Sequence, residues 1–473
     1  MTDRLFALPA TAVADRLRAG EVSPHEVLAD LESRVQSVKP HVNALVTFCF
    51  DRGRRHAAAL EAKPAAERGV LAGLPIPIKD AYAVEGVRTT HGSLAFADHV
   101  PSHSDYLVEA IEEAGGIVFA KSNTPEFQAG ANTFNAVFGR TLNPWDTSRS
   151  AAGSSGGAAV AVATGMAHIA QGSDNACSVR YPSAFCGVVG LRASPGLIPE
   201  GPSALPYQVL SVIGPIARSV ADVGLGLDAM ARFDQRDPRT RPLTSGSYRA
   251  AAEAPRQPAR AAFSMDLGGV ARVSGEVRAL VDAAVARLAA AGLDVAEGAP
   301  DVRRCREAFL PLRAFQFAAL HRGALEHHRE KLKPEVVWNI EEGLKLTAAD
   351  LAVAERARAE VRDAMVGFIG RHGVLITPAA PVEPYPVEKR YVDEIDGAKL
   401  ATYVDWLVLG YAVTVTGCPA ISIPCGFTAN GLPVGLQLVG APYGEADLLC
   451  TAAWCEAVLG ASLKAPIDPR SPA

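Results

Sequence analysis

Apolar positions recur along this chain with two different periods. After Ser23-Pro24-His25-Glu26, the residues Val27, Leu28, Leu31 and Val35 fall three or four apart and share one helical face. Ser23 and Glu26 have the spacing of a capping box, and Pro24 stands at the first helical position, where no backbone N–H is needed. A helix to about Val38 is expected. Residues 74–78 form a short apolar run ending at Lys79 and read as a buried strand. Residues 105–114 read as a helix closed by Gly115-Gly116, and 117–120 as the next strand. Helices are also expected over 274–291, where Val277, Val281, Val285 and Leu288 align before Gly292, and over 345–371. Residues 374–377 read as a strand ended by Pro378. Asn430-Gly431, between apolar runs at 420–427 and 432–439, marks a hairpin. The succession of strand, helix and strand predicts an α/β fold with some parallel pairing.

Composition narrows the function classes. The chain has 473 residues, 49% hydrophobic and 21% charged, an ordinary globular mixture. Length alone suggests about three domains. Residues 232–260, rich in Pro, Arg and Asp, read as either a linker or a surface excursion. The net charge of −5 offers no basic footprint for nucleic acid. Residues 1–19 carry Asp3, Arg4, Asp15 and Arg16 and contain no secretory apolar core. The longest run of small apolar residues, 156–170, is too short to span a bilayer and contains His168. A cytoplasmic protein with no membrane partner is expected. The eight cysteines, Cys49, Cys177, Cys186, Cys305, Cys418, Cys425, Cys450 and Cys455, show no C-x-x-C pair and read as reduced, packed thiols. His327-His328 reads as a solvated helical face, and no metal site is expected.

Chemistry concentrates between Lys79 and Arg192. Gly153-Ser154-Ser155-Gly156-Gly157 has three readings from residues alone: a flexible turn, a G-x-S-x-G nucleophile elbow, or a phosphate-cradling loop. The elbow needs a preceding strand, but Asn143 to Arg149 has loop composition. The phosphate loop lacks a G-K-[ST] ending. Further on, Gly172-Ser173-Asp174-Asn175-Ala176-Cys177-Ser178-Val179-Arg180 reads as a loop entering a short helix at about 177–185, with Pro182 in its first turn. Ser178 there is a cap, or it stands where adjacent N–H groups converge and can stabilise an oxyanion.

Taken together, these segments resemble the amidase signature family. Pro77-Ile78-Lys79-Asp80 looks like its lysine motif, the Gly/Ser run at 153–157 like its Gly/Ser motif, and residues 174–187 like its nucleophile segment. Ser154 and Ser178 stand 24 residues apart, which fits the pattern. Lys121 to Phe127, Gly139 to Trp145, Gly214 to Asp222 and Gly417 to Ala420 look like further landmarks, so the resemblance spans nearly the whole chain. It implies a single α/β domain over 1–473, with a large twisted mixed sheet wrapped by helices. The segment 232–260 is then a surface excursion. A homodimer is the corresponding expectation.

The resemblance also assigns roles. It implies a Ser–cis-Ser–Lys triad in which Ser178 is the nucleophile, Ser154 the bridge and Lys79 the base, with a cis peptide at Gly153–Ser154. The backbone N–H groups of Asn175, Ala176, Cys177 and Ser178 make the implied oxyanion hole. Ser155 supports the loop together with Arg180 or Asp174, while Gln128, Ala129 and Gly130 line the pocket. Lysine can act as a base at neutral pH only if burial lowers its pKa. Ile76, Pro77 and Ile78 suit such burial, and strand alternation turns Asp80 away. Gln171 reads as a packing or hydrogen-bonding residue. Residues 309–338 are expected in the pocket wall, with Phe315, Phe317 and Trp338 read as core. Family members usually carry glycines where Ala176 and Cys177 stand, so Cys177 is expected to crowd the loop, with a cysteine nucleophile as a minor alternative. Ala176 resembles members acting on aminohexanoate cyclic dimers.

The implied activity is hydrolysis of a small-molecule carboxamide, anilide, carbamate or cyclic amide through an acyl-enzyme, with no cofactor. Two other readings remain at this point. One is a polypeptide like the ammonia-supplying chain of tRNA-dependent amidotransferase, working within a complex. The other is a binding protein whose oxyanion loop has collapsed.

Overall fold

The capping box forms as expected. Ser23 N donates to Glu26 Oε2 at 2.7 Å and Glu26 N to Ser23 Oγ at 3.2 Å. The helix they open, Pro24–Val42, runs past Val38 because Val38 and Val42 continue its buried face; it ends at Asn43 in the left-handed conformation. The computed structural model describes residues 4–243 and 246–472; Met1–Asp3, Thr244, Ser245 and Ala473 lie outside the described residues.

Two sheets organise the chain. In the smaller, the central strand Ile117–Ser122 pairs antiparallel with Leu45–Phe48 and parallel with Pro75–Lys79. The parallel pair is joined through helix Tyr106–Glu113, the crossover expected from the strand–helix–strand pattern. The larger sheet has eight strands, in the order Val295–Glu297, Ala261–Phe263, Val374–Pro378, Pro433–Val439, Ala420–Phe427, Val189–Arg192, Val212–Ala217 and Ile169–Asp174. The first three strands run parallel and every later neighbour is antiparallel, so the α/β class and mixed sheet are as expected. The hairpin at Asn430-Gly431 forms, with Gly431 at φ 76° and its N–H donating to Thr428 O at 2.9 Å.

Residues Gly156–Ala163 form a helix in which every residue is buried. Gly157 is required there: a Cβ would lie 2.4 Å from Asn123 N and 2.6 Å from Ala44 O, so only glycine lets this helix reach the small sheet. Among the described residues, no helix is long and apolar enough to cross a membrane. All eight cysteines are free, and six of them are buried. Described residues on both sides of Thr244 and Ser245 in the segment 232–260 contact the rest of the chain. Arg232 pairs with Glu113 at 2.5 Å and with Asp234 at 3.1 Å, Arg236 with Glu109 at 2.5 Å, and Tyr248 N donates to Asp228 Oδ1 at 2.6 Å. The strand Ile169–Asp174, at the edge of the large sheet, lies beside Pro75–Lys79 of the small one, and the chemistry collects at this junction.

Candidate active site

Lys79 ends its strand fully buried. Its N–H donates to Gln171 Oε1 at 3.0 Å, which gives Gln171 the hydrogen-bonding role open to it and ties the two sheets together. Lys79 Nζ lies 2.7 Å from Ser154 Oγ, 3.0 Å from Ser155 Oγ and 3.0 Å from Ser173 Oγ. Among the described residues, no carboxylate pairs with it. Burial pushes the ammonium well below the ordinary lysine pKa, against a smaller raising effect from the Asp174 charge. Asp80 points away as expected, accepting from Thr90 Oγ1 at 2.5 Å and from Thr90 N at 3.1 Å.

For Lys79 in the neutral state that its burial favours, counting protons orients these bonds. A neutral amine has two N–H groups and one lone pair, and a hydroxyl has one proton to give. Ser173 Oγ donates to Gln128 Oε1 at 2.5 Å, and Ser155 Oγ to Ser173 O at 3.3 Å. Both hydroxyls have spent their protons and must accept from Lys79. The lone pair is left for the Ser154 hydroxyl. The Gly153–Ser154 peptide is cis.

Ser178 lies beyond strand Ile169–Asp174, ahead of the helix Arg180–Cys186, which starts later than residue 177. The intervening turn is held by Asp174. Its Oδ2 accepts from Val179 N at 3.0 Å and Arg180 Nε at 3.1 Å, and its Oδ1 from Arg180 Nη2 at 2.7 Å and Arg192 Nη1 at 3.2 Å. Arg180 Nη2 also donates to Ala176 O at 2.7 Å. Burial alone would raise the Asp174 pKa, but the Arg180 and Arg192 charges hold it down at about 2. Among the described residues, the backbone N–H groups of Asn175, Ala176, Cys177 and Ser178 have no protein acceptor. Four unpaired donors in one turn are suited to a developing negative charge. Ser154 and Ser178 share the wall of a cavity of about 350 Å³. No hydrogen bond joins their two hydroxyls, and catalytic bonds of this kind often close only around substrate.

Cys177 does not crowd this turn. None of residues 175–178 has a positive φ, so no glycine-only conformation is required. Space is made from the other side, by Gly410 in helix Val408–Thr414. A Cβ on Gly410 would lie 2.3 Å from Ala176 O and 2.6 Å from Cys177 Cβ. The Cys177 thiol is fully buried, and burial pushes its pKa well above the ordinary value, so it is a neutral packing group rather than a nucleophile.

Other expectations need correcting. Ser155 supports the turn, as Asp174 and Arg180 do, but without touching either of them. Its hydroxyl contacts Lys79 and Ser173, and its N–H donates to Ser178 O at 3.1 Å. Gln128 lines the cavity, but Ala129 and Gly130 do not. Ala129 packs in an apolar cluster with Phe127 and Val336, and Gly130 faces Lys333. Phe317 lines the cavity, whereas Phe315 and Trp338, read as core, are 39% and 36% exposed. Sequence reasoning missed Ser173, Arg192, and the carboxyls of Asp105 and Glu200 in the cavity wall, both pushed up to about 7 chiefly by burial. Strand alternation was a usable signal for Ser173, which shares a sheet face with Gln171.

The amidase family model matches residues 26–449. An acylamidase of Rhodococcus erythropolis is 35% identical, over 99% of this chain and 99% of its own. The A-type polypeptide of the glutamyl-tRNA(Gln) amidotransferase of Moorella thermoacetica is 33% identical, over 95% of this chain and 96% of its own. The structure of a 6-aminohexanoate cyclic dimer hydrolase with its substrate superposes with a TM-score of 0.87 at 27% identity, covering 96% of this chain and 97% of that one. The chain therefore belongs to the amidase family, the amidase signature hydrolases, and is an amidase-type hydrolase of carbon–nitrogen bonds other than peptide bonds.

Two substitutions test the turn. Gly410→Ala is expected to push Ala176 and Cys177 out of place and lower kcat by roughly 10²-fold or more, the scale of losing one oxyanion donor, while circular dichroism stays native. Arg180→Leu leaves Asp174 buried with one guanidinium fewer and is expected to cost about 3–5 kcal/mol in urea unfolding.

Proposed function

We propose, from this family membership and the geometry of the site, that the protein hydrolyses a small acyl amide through an acyl-enzyme on Ser178. The observation that carries the proposal is the 2.7 Å contact of buried Lys79 Nζ with Ser154 Oγ, on the wall of the cavity that Ser178 also lines. In the first step, Ser154 passes its hydroxyl proton to Lys79 Nζ and takes the proton of Ser178. Ser178 Oγ forms a bond to the carbonyl carbon, and the carbonyl oxygen becomes an oxyanion facing the N–H groups of 175–178. The C–N bond then breaks, and the proton held by Lys79 returns through Ser154 to the leaving nitrogen. Water attacks the ester by the same relay, releasing the acid and restoring Ser178.

Similarity to an acylamidase favours an acyl amide as substrate, with anilides, carbamates and cyclic amides as related targets of the same tetrahedral chemistry. Similarity to the amidotransferase polypeptide favours a second reading, in which the chain works only within a complex. Turnover of simple amides by the purified chain decides for the first. A collapsed oxyanion loop is disfavoured, since the N–H groups of 175–178 have no acceptor among the described residues and Asn175 and Ser178 line an open cavity.

Ser178→Ala is expected to lower kcat by roughly 10⁶-fold, as removal of a hydrolase nucleophile does. Lys79→Met and Ser154→Ala are expected to lower it by roughly 10²–10⁴-fold, with native folds and little change in KM. Near-normal turnover of a good amide by either Ser178→Ala or Lys79→Met removes the triad assignment.

A further inference from the structure

The catalytic cavity contains a buried cation that the relay does not use. Arg313, on helix Cys305–His328, is 5% exposed and lines the same cavity as Ser178. Two other buried guanidiniums, Arg180 and Arg192, share the carboxylate of Asp174, and a third, Arg218, donates to the backbone carbonyls of Ala7 and Leu8. Among the described residues, no carboxylate lies within ion-pair distance of the Arg313 guanidinium. Its one hydrogen bond among them runs from Nη1 to Asn339 Oδ1. Asn339 is itself fixed, donating to Glu335 O at 2.6 Å and to the Tyr403 hydroxyl. The guanidinium carbon lies 4.6 Å from the Phe317 ring centre and 5.7 Å from that of Tyr403. The planar group is thus oriented on two rings by one amide. Its Nε and Nη2 have no acceptor among the described residues, yet they are not among the sealed-off polar atoms. Asp105 and Glu200 line the cavity too, but each is engaged elsewhere: Asp105 accepts from Ala83 N, and Glu200 stands 3.9 Å from Arg239.

A guanidinium removed from water without a counter-charge is costly, and its fork of donors matches a carboxylate. We propose that Arg313 is a specificity residue that receives a carboxylate on the substrate, so that the preferred substrates are acyl amides bearing a free carboxyl group. This rests on the amidase reading above and adds the class of substrate to it. A cavity of about 350 Å³ has room for such a small acylamino acid.

The test uses pairs of acyl amides of several chain lengths, each with a terminal carboxylate or its methyl ester. Calorimetric titration of the Ser178→Ala protein needs no turnover, so it separates this proposal from the amidase reading. Tighter binding of the carboxylate member supports the proposal. Equal or weaker binding at every chain length overturns it, whether or not any amide is hydrolysed. In the active enzyme, Arg313→Met is expected to lower the ratio of kcat/KM for carboxylate over ester by about 10–100-fold, mainly through KM, the scale of a lost charge-assisted hydrogen bond. An unchanged ratio also overturns it.

Discussion

Lys79 Nζ sits in a shell of three serine hydroxyls with no carboxylate paired to it among the described residues, and burial strips it of the solvation an ammonium requires. The constraint is electrostatic before it is catalytic. A charged lysine there would donate to all three hydroxyls and leave Ser154 no base. A neutral one has two donors and one acceptor, which leaves its lone pair for Ser154 once Ser155 and Ser173 accept. The folding of this junction serves that state. Gln171 takes the N–H of Lys79 at the strand's end, and Gly157 lets the buried helix approach Asn123 and Ala44 at the small sheet.

The opposite charge problem is solved a short way along the same strand. Asp174 is as buried as Lys79, but two guanidiniums hold it ionised, and its oxygens take up the N–H group of Val179 and the side chain of Arg180. The turn between Asp174 and Val179 keeps its shape from this anchor rather than from glycine. That is why the unusual Asn175-Ala176-Cys177 sequence is accommodated. The room a glycine would normally leave within the turn comes from Gly410, on a helix far away in the chain.

Much of this is legible in the sequence, and what is not has a physical pattern. Local signals transfer well: the Ser23 capping box, the strand ending at Lys79 and the Asn430-Gly431 hairpin all depend on neighbours in the chain. The triad residues are named through motif resemblance, and the structure places Lys79 against Ser154, with Ser154 and Ser178 on the wall of one cavity. Long-range contacts leave no local trace. Ser173, Arg192 and Gly410 act across sheets or helices. Ala129 and Gly130 flank a pocket residue without facing the pocket, because Phe127 and Gln128 take positive φ and turn the chain. Phe315 and Trp338 look like core in the sequence but are partly exposed, because the faces of their helices are set by what packs on them.

The protonation state of Lys79 is the point on which the rest turns, and NMR of isotope-labelled lysine side chains reads it directly, with Lys79→Met identifying the resonance. The expected result is a neutral amine at neutral pH that titrates well below the ordinary lysine value of about 10.4, with activity rising along the same limb as the proton leaves. A Lys79 that stays an ammonium until about pH 10.4 would contradict the buried base and, with it, the relay through Ser154.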